Sequence, residues 1–273
     1  MEYLIDSGNP HKTDNVGPMS VAIDARRLGE MLLEGCEALS ADEVARASIL
    51  GKRESLFRDV LLNRFAREHP DHLAQAEWKI PDSAMDRFRA TRFAGDNSKA
   101  IVDFVAVPHS DPLTTTPTVS VEFKLWYWFD AVTEKKYETP DGSNHHQISA
   151  SFVADAEKLR AVSPTTETGR LIVTVVPTFH HDGLGFEDAA AARRFLKDSG
   201  FPYSSPKYVV PTEPYVDVES IREAGLVRLT DYFSSTGCPT IVGRPTSGQF
   251  AGMTVTTDFV ISEIPALHKP LTP

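Results

Sequence analysis

Val119-Ser-Val-Glu-Phe-Lys-Leu125 alternates without a fault: Val119, Val121, Phe123 and Leu125 are apolar, while Ser120, Glu122 and Lys124 are polar. A period of two is the mark of an extended strand with one face against a core. Residues two apart on a strand project to the same side, so Glu122 and Lys124 stand together, opposite the apolar row. Upstream, Ala100-Ile-Val-Asp-Phe-Val-Ala-Val107 reads as a second strand that stops at Pro108, and Asp111 to Pro117 supplies a hairpin-type connection. That strand carries Asp103, nineteen residues before Glu122. If the two strands pair, two carboxylates and one ammonium converge. A carboxylate pair suits a hard divalent cation, Mg2+ (or Mn2+), which keeps several waters and accepts a phosphate oxygen. Lys124 would then orient a water or help to deprotonate it, and the cation would offset charge building up on phosphorus. The chemistry expected of such a trio is phosphodiester hydrolysis.

Working outward, Ser40-Ala-Asp-Glu43 has the spacing of a capping box and predicts a helix start. After Gly51, Phe57, Leu61 and Phe65 recur every four residues with Leu56 and Val60 beside them, which predicts a second helix ending near His69-Pro70. Glu77 to Ile80 and Arg89 to Phe93 read as short strands. Beyond a turn cluster at Glu138 to Asn144, Ile148, Phe152, Ala156 and Leu159 mark one face of a helix running to about Val162. Leu171-Ile-Val-Thr-Val-Val176 is a β-branched run between Gly169 and Pro177, as expected of a strand covered on both faces. Further on, Glu187 to Lys197 predicts an Ala-rich helix, Val218 to Ala224 another, and Thr254 to Ile261 a last strand. The domain reading is an N-terminal extension over 1–39, an α/β core over 40–180, and C-terminal helices and a strand packed on it over 181–273.

The pattern Asp103 … Glu122-x-Lys124, each half on an apolar strand, with a helix before and a helix and strand after, resembles the PD-(D/E)xK nuclease superfamily. The resemblance covers roughly Lys52 to Val176. It implies a restriction-endonuclease-like fold, α/β with a mixed central sheet flanked by helices, to which the N- and C-terminal elements are additions. It also implies Asp103 and Glu122 as metal ligands and Lys124 as the group acting on water. The superfamily often adds a glutamate on its first core helix, and Glu54 matches that place; it stands three and seven residues before Phe57 and Leu61, toward the apolar stripe. Some members carry a glutamine on the helix after the Glu-x-Lys strand, where Gln147 stands. Val102 replaces the proline of the superfamily's name. The implied partner is DNA, with RNA a second candidate, and a homodimer would follow by analogy. The competing readings are an inactive module of the same fold that binds protein or nucleic acid, and an unrelated α/β protein with ordinary strand charges at these positions.

Composition sets the outer limits. The chain has 273 residues, 41% apolar and 24% charged, close to average for globular proteins and far from collagen-like or wholly disordered chains. Its longest apolar run, Leu125 to Phe129, is far below the ~20 residues a membrane helix needs. Met1 to Pro10 lacks the basic and apolar regions of a signal peptide, so the expected location is cytoplasmic and without membrane contact. Cys36 and Cys238 give neither a zinc spacing nor a disulfide framework and are expected as reduced core thiols. A net charge of −10 argues against bulk coating of nucleic acid. Between Lys52 and Lys99, ten basic residues face eight acidic ones, so a polyanion would meet this segment, unless these are simply the solvated faces of a helix and a hairpin. Trp126 to Phe129 extend the Glu-x-Lys strand and are either a base-stacking platform or core. His145-His146, His180-His181 and Gly183-Leu-Gly185 lack the context of a metal, triad or dinucleotide site.

Overall fold

A computed structural model describes residues 23–49, 54–90, 101–112, 116–126, 129–130, 135–136, 143–165, 168–180, 194, 198, 218–250 and 252–266. Three helices open it: α1 (Ala25–Glu37), α2 (Ala41–Ile49) and α3 (Glu54–Glu68). Then come β1 (His72–Lys79), α4 (Asp82–Arg89), β2 (Ile101–Pro108), β3 (Val119–Leu125), the short β4 (Phe129–Asp130) and β5 (Lys135–Lys136), α5 (Ser143–Val162) and β6 (Gly169–His180). The chain finishes with α6 (Val218–Ser235), β7 (Thr240–Val242), β8 (Thr246–Phe250) and β9 (Met253–Glu263).

The architecture is α/β, with a mixed seven-stranded sheet in the order β1-β2-β3-β6-β9-β7 and β8 beside β9. Strands β1, β2 and β3 form an antiparallel meander. Strand β6 runs parallel to β3. A parallel neighbour needs a crossover, and α5 lies between the two strands in sequence. Strand β9 then pairs antiparallel along β6, from Leu171↔Glu263 to His180↔Thr254, so the C-terminal region supplies an inner strand of the sheet.

Each face of the sheet has its own core. On one, Val119, Val121 and Phe123 of β3 and Leu171, Val173 and Val175 of β6 pack under α1, α2 and α3. On the other, Ile172 and Val176 of β6 and Val260 of β9 pack under α4, α5 and α6. The β-branched run of β6 is therefore covered on both faces, as its sequence predicts. Cys36 and Cys238 are buried free thiols in different layers.

The capping box at Ser40 forms as read: the Ser40 amide donates to Glu43 Oε2 at 3.0 Å and the Glu43 amide to Ser40 Oγ at 3.2 Å. Elsewhere the structure corrects the sequence reading. Arg89 ends a helix rather than starting a strand, because Ala84, Met85 and Phe88 form a buried helical stripe that begins after Pro81 with Asp82 in the first turn. The proposed strand at Glu77 is the end of a longer one starting at His72. Helix α6 continues to Ser235, and helix α1, capped by the Asp24 carboxylate on the Arg26 amide at 2.8 Å, had no counterpart in the sequence reading. The Ala-rich helix predicted at Glu187 to Lys197, and Gly183-Leu-Gly185, fall outside the described residues but for Arg194.

Over its described residues, 54–90, the basic segment is a helix, a strand and a helix rather than a helix and a hairpin, and several of its cations are already paired. Arg58 meets Glu77 at 3.0 Å, Arg64 meets Glu34 and Glu68, and Arg87 donates to the Ala161 carbonyl at 2.9 Å. No described helix is long and apolar enough to cross a membrane.

Candidate functional site

Alternation along β3 sends Ser120, Glu122 and Lys124 to the α5 side of the sheet, all of them buried except the partly exposed Lys124. Asp103 arrives there by a different route. The β2–β3 ladder is regular from Ala106↔Val119 to Phe104↔Val121, and Asp103 opposite Glu122 is not part of it. Instead its Oδ2 accepts the Phe123 amide at 2.8 Å, a side chain standing in for a backbone partner. On the other flank Glu77, opposite Asp103 in the β1–β2 register, holds a positive φ of 51° and is likewise unpaired between Ala76↔Phe104 and Trp78↔Val102.

A left-handed backbone costs a non-glycine residue ~1–2 kcal/mol. The strands also change face here: Phe104 and Ala106 belong to the α1–α3 core, yet Val102 and Trp78 pack with the α4–α6 core. The kink in β1 and β2 is thus centred on the residue singled out from sequence, and such outliers gather where function is built.

Helix α5 completes the cluster with two residues that sequence reasoning missed. Lys158 Nζ lies 2.6 Å from Glu122 Oε1 and 3.4 Å from Asp155 Oδ1, and it donates to the Ile101 carbonyl at 3.2 Å. Lys124 Nζ lies 2.6 Å from the other oxygen of Asp155. Among the described contacts Lys124 pairs with Asp155, not with Glu122 or Asp103. Asp155 and Lys158 continue the three-residue row from Phe152 toward Val162, and charged residues at core-facing helix positions were the signal available in the sequence.

The site is close to dry, with Glu122 4% and Lys158 7% exposed. Burial, then Asp155 and Asp103, push the Glu122 carboxyl well above the usual range, against the pull of the Lys158 ammonium. The Lys158 ammonium is itself held above its ordinary value: Glu122 and Asp155 outweigh the desolvation that opposes them. Three carboxyl groups meet two ammonium groups, and the raised pKa of Glu122 expresses how costly one more negative charge is at this buried position. Glu122 Oε1 and Asp155 Oδ2 each lie 2.6 Å from a lysine ammonium, and the buried hydroxyls of Ser120 and Thr174 on the same face have no partner among the described residues. Oxygen donors from three carboxyl groups, gathered at one point, fit a hard divalent cation.

The remaining expected residues are not placed. Glu54 opens α3, whose buried stripe packs on the opposite face of the sheet, and its side chain lies outside the described residues. Gln147 lies near the start of α5, and its side chain is outside them too, as are those of His145 and His146. Trp126 is buried in the α4–α6 core, while Tyr127, Trp128 and His181 fall outside the described residues. A cavity of about 430 Å3 exists elsewhere, lined by Asp24, Arg26, Glu30, Ile241 and Glu263, and none of its walls belongs to the cluster. No protein-family model, curated protein or solved structure matches this chain.

Proposed function

We propose that this chain is a metal-dependent nuclease with a restriction-endonuclease-like core, hydrolysing phosphodiester bonds of DNA, or of RNA, at Asp103, Glu122 and Lys124. The observation that carries the reading is the meeting of Asp103, Glu122, Lys124, Asp155 and Lys158 on one face of the sheet, at the kink shared by β1 and β2. Helix α3, strands β2 and β3, helix α5 and strand β6 also follow one another in the order of the resemblance, with β1 and α4 ahead of β2 and the short β4 and β5 ahead of α5.

In this reading Asp103 and Glu122 hold Mg2+ or Mn2+, and the cation supplies electrostatic stabilisation of the charge that develops on phosphorus. The Phe123 amide fixes Asp103 through one oxygen and leaves the other to ligate. Lys124, 28% exposed and close to a carboxylate, serves as a charged donor at the rim, where it orients the attacking water or a phosphate oxygen. Asp155 holds Lys124 and Lys158 apart and sets the position of both. Lys158, the deeper cation, holds Glu122 in place when no divalent ion is bound.

One observation favours a second reading, the inactive binding module: Glu122 is already neutralised by the chain's own Lys158. Cleavage assays separate the two. Supercoiled plasmid, linear duplex, single-stranded DNA and RNA are incubated with Mg2+ or Mn2+. Cleavage that falls at least about 100-fold in Asp103→Asn and in Lys124→Ala, with unchanged circular dichroism, supports the nuclease. Absence of metal-dependent cleavage of all four substrates by the unaltered chain overturns it in favour of the module.

A further inference from the structure

The turn His69-Pro-Asp-His72 joins α3 to the edge strand β1, and its potential ligand atoms on His69, Asp71 and His72 all lie within 4.8 Å of one another. The turn is stiff. His69 still donates its amide to the Phe65 carbonyl at 2.8 Å, the His72 amide donates to the His69 carbonyl at 3.1 Å, and the His109 amide closes onto the Asp71 carbonyl at 2.8 Å. Pro70 fixes its own φ between them.

The side chains are less well satisfied than the backbone. His72 is buried, its side chain 6% exposed, and Asp71 Oδ1 stands 3.0 Å from its Nδ1. His72 Nε2 and His69 Nε2 make no hydrogen bond among the described residues. Phe65 packs against both imidazoles, at ring-centroid distances of 4.7 Å and 6.0 Å, and sets their orientation without offering a polar partner. A buried ring nitrogen with no partner is costly, and the usual remedies are a hydrogen bond, a water or a metal.

We propose that His69, Asp71 and His72 form a second cation site, one that takes a divalent transition ion of the zinc class. Two imidazoles and one carboxylate are borderline donors that suit Zn2+, Co2+ or Ni2+, whereas Mg2+ takes oxygen ligands. Bonds of ~2.0–2.1 Å to a tetrahedral ion put ligand atoms roughly 3.3 Å apart, so the three groups need close by no more than about 1.5 Å. Asp71, whose side chain is 75% exposed, is free to make that adjustment. The ion would tie the end of α3 to the start of β1 and keep a fourth position for water. It would be independent of the carboxylate cluster: His72 pairs with Pro108, five residues or ~17 Å along β2 from Asp103.

The test uses the full chain freed of metal with a chelator and titrated with Co2+, followed by competition with Zn2+. Expected are intense visible bands of tetrahedral Co2+ that saturate at one ion per chain, discharged by Zn2+ and retained in Asp103→Asn. Affinity should fall about tenfold or more in His69→Gln and in Asp71→Asn, since even changes around a ligand cost ~10–100-fold. Both substitutions avoid the buried His72, and circular dichroism confirms that the variants fold. Weak octahedral-type absorption only, bands that persist in both variants, or bands lost in Asp103→Asn overturn the proposal.

Discussion

Replacing Lys158 by Met probes the cluster through stability, independently of any substrate. Lys158 is the cation that Glu122 and Asp155 share, and both it and Glu122 are almost fully buried. Met approximates its length and packs well, so the loss is one of charge. Removing one partner of a buried pair costs about 3–5 kcal/mol. At ~2–4 °C per kcal/mol for a chain of this size, that is a fall in Tm of roughly 6–20 °C. The pH dependence gives a sharper signature. Glu122 already has its folded-state pKa raised above its unfolded value, so its contribution is fully present below the unfolded value and is lost as pH rises through the folded one. Without the ammonium the folded value rises further. The variant should therefore lose most stability at neutral and alkaline pH and recover part of it as acid protonates Glu122. Mg2+ or Mn2+ should also restore part of it, by taking the place of the missing cation. Urea denaturation across pH, with and without divalent ion, measures all three effects. A variant as stable as the unaltered chain at every pH would refute the assignment of Lys158 as the counter-charge of this pocket.

Other sites carry narrower expectations. Arg222 of α6 grips the fully buried Asp258 of β9 at 2.6 Å and 2.7 Å, so Arg222→Ala strands a buried carboxylate and should cost about 3–5 kcal/mol in chemical denaturation. A Cβ on Gly248 would sit 2.1 Å from the Ala41 carbonyl at the start of α2, and backbone cannot step aside as a side chain can. Gly248→Ala should therefore destabilise by about 1–3 kcal/mol and raise hydrogen exchange in β8 and α2. Burial pushes the Cys36 thiol up to about 12 and raises that of Cys238, so a thiol reagent at pH 8 should leave both unlabelled in the native chain and label both in denaturant.

Much of the fold was written in local patterns. The period of two in Val119 to Leu125 fixed Glu122 and Lys124 on one face, the apolar run at Leu171 announced a strand buried on both, and Ser40 with Glu43 marked a helix start. Where the reading failed, the signals were present but weak. Arg89 to Phe93 reads as a short strand, although Pro81-Asp82 and the Ala84, Met85, Phe88 stripe spell a helix that runs through Arg89. In α1, Leu28, Met31 and Leu32 follow the Asp24 cap at helical spacing and were passed over. On α5, Ile148, Phe152, Ala156 and Leu159 mark the helix, and nothing in that row alone says that the interleaved charges Asp155 and Lys158 are buried.

Those interleaved charges mark the division between chain and fold. Covalent geometry sets which side of its own strand or helix each residue takes, so the shared face of Glu122 and Lys124 follows from sequence alone. The partner across the gap does not. Lys158 meets Glu122, and Asp155 meets Lys124, only because α5 lies over the face of β3 that carries them. Asp103 joins them only because β1 and β2 kink together at one point, and that depends on strands packed against two different cores. Side-chain direction is local, whereas the pairing of buried charges is settled by which surfaces bury together.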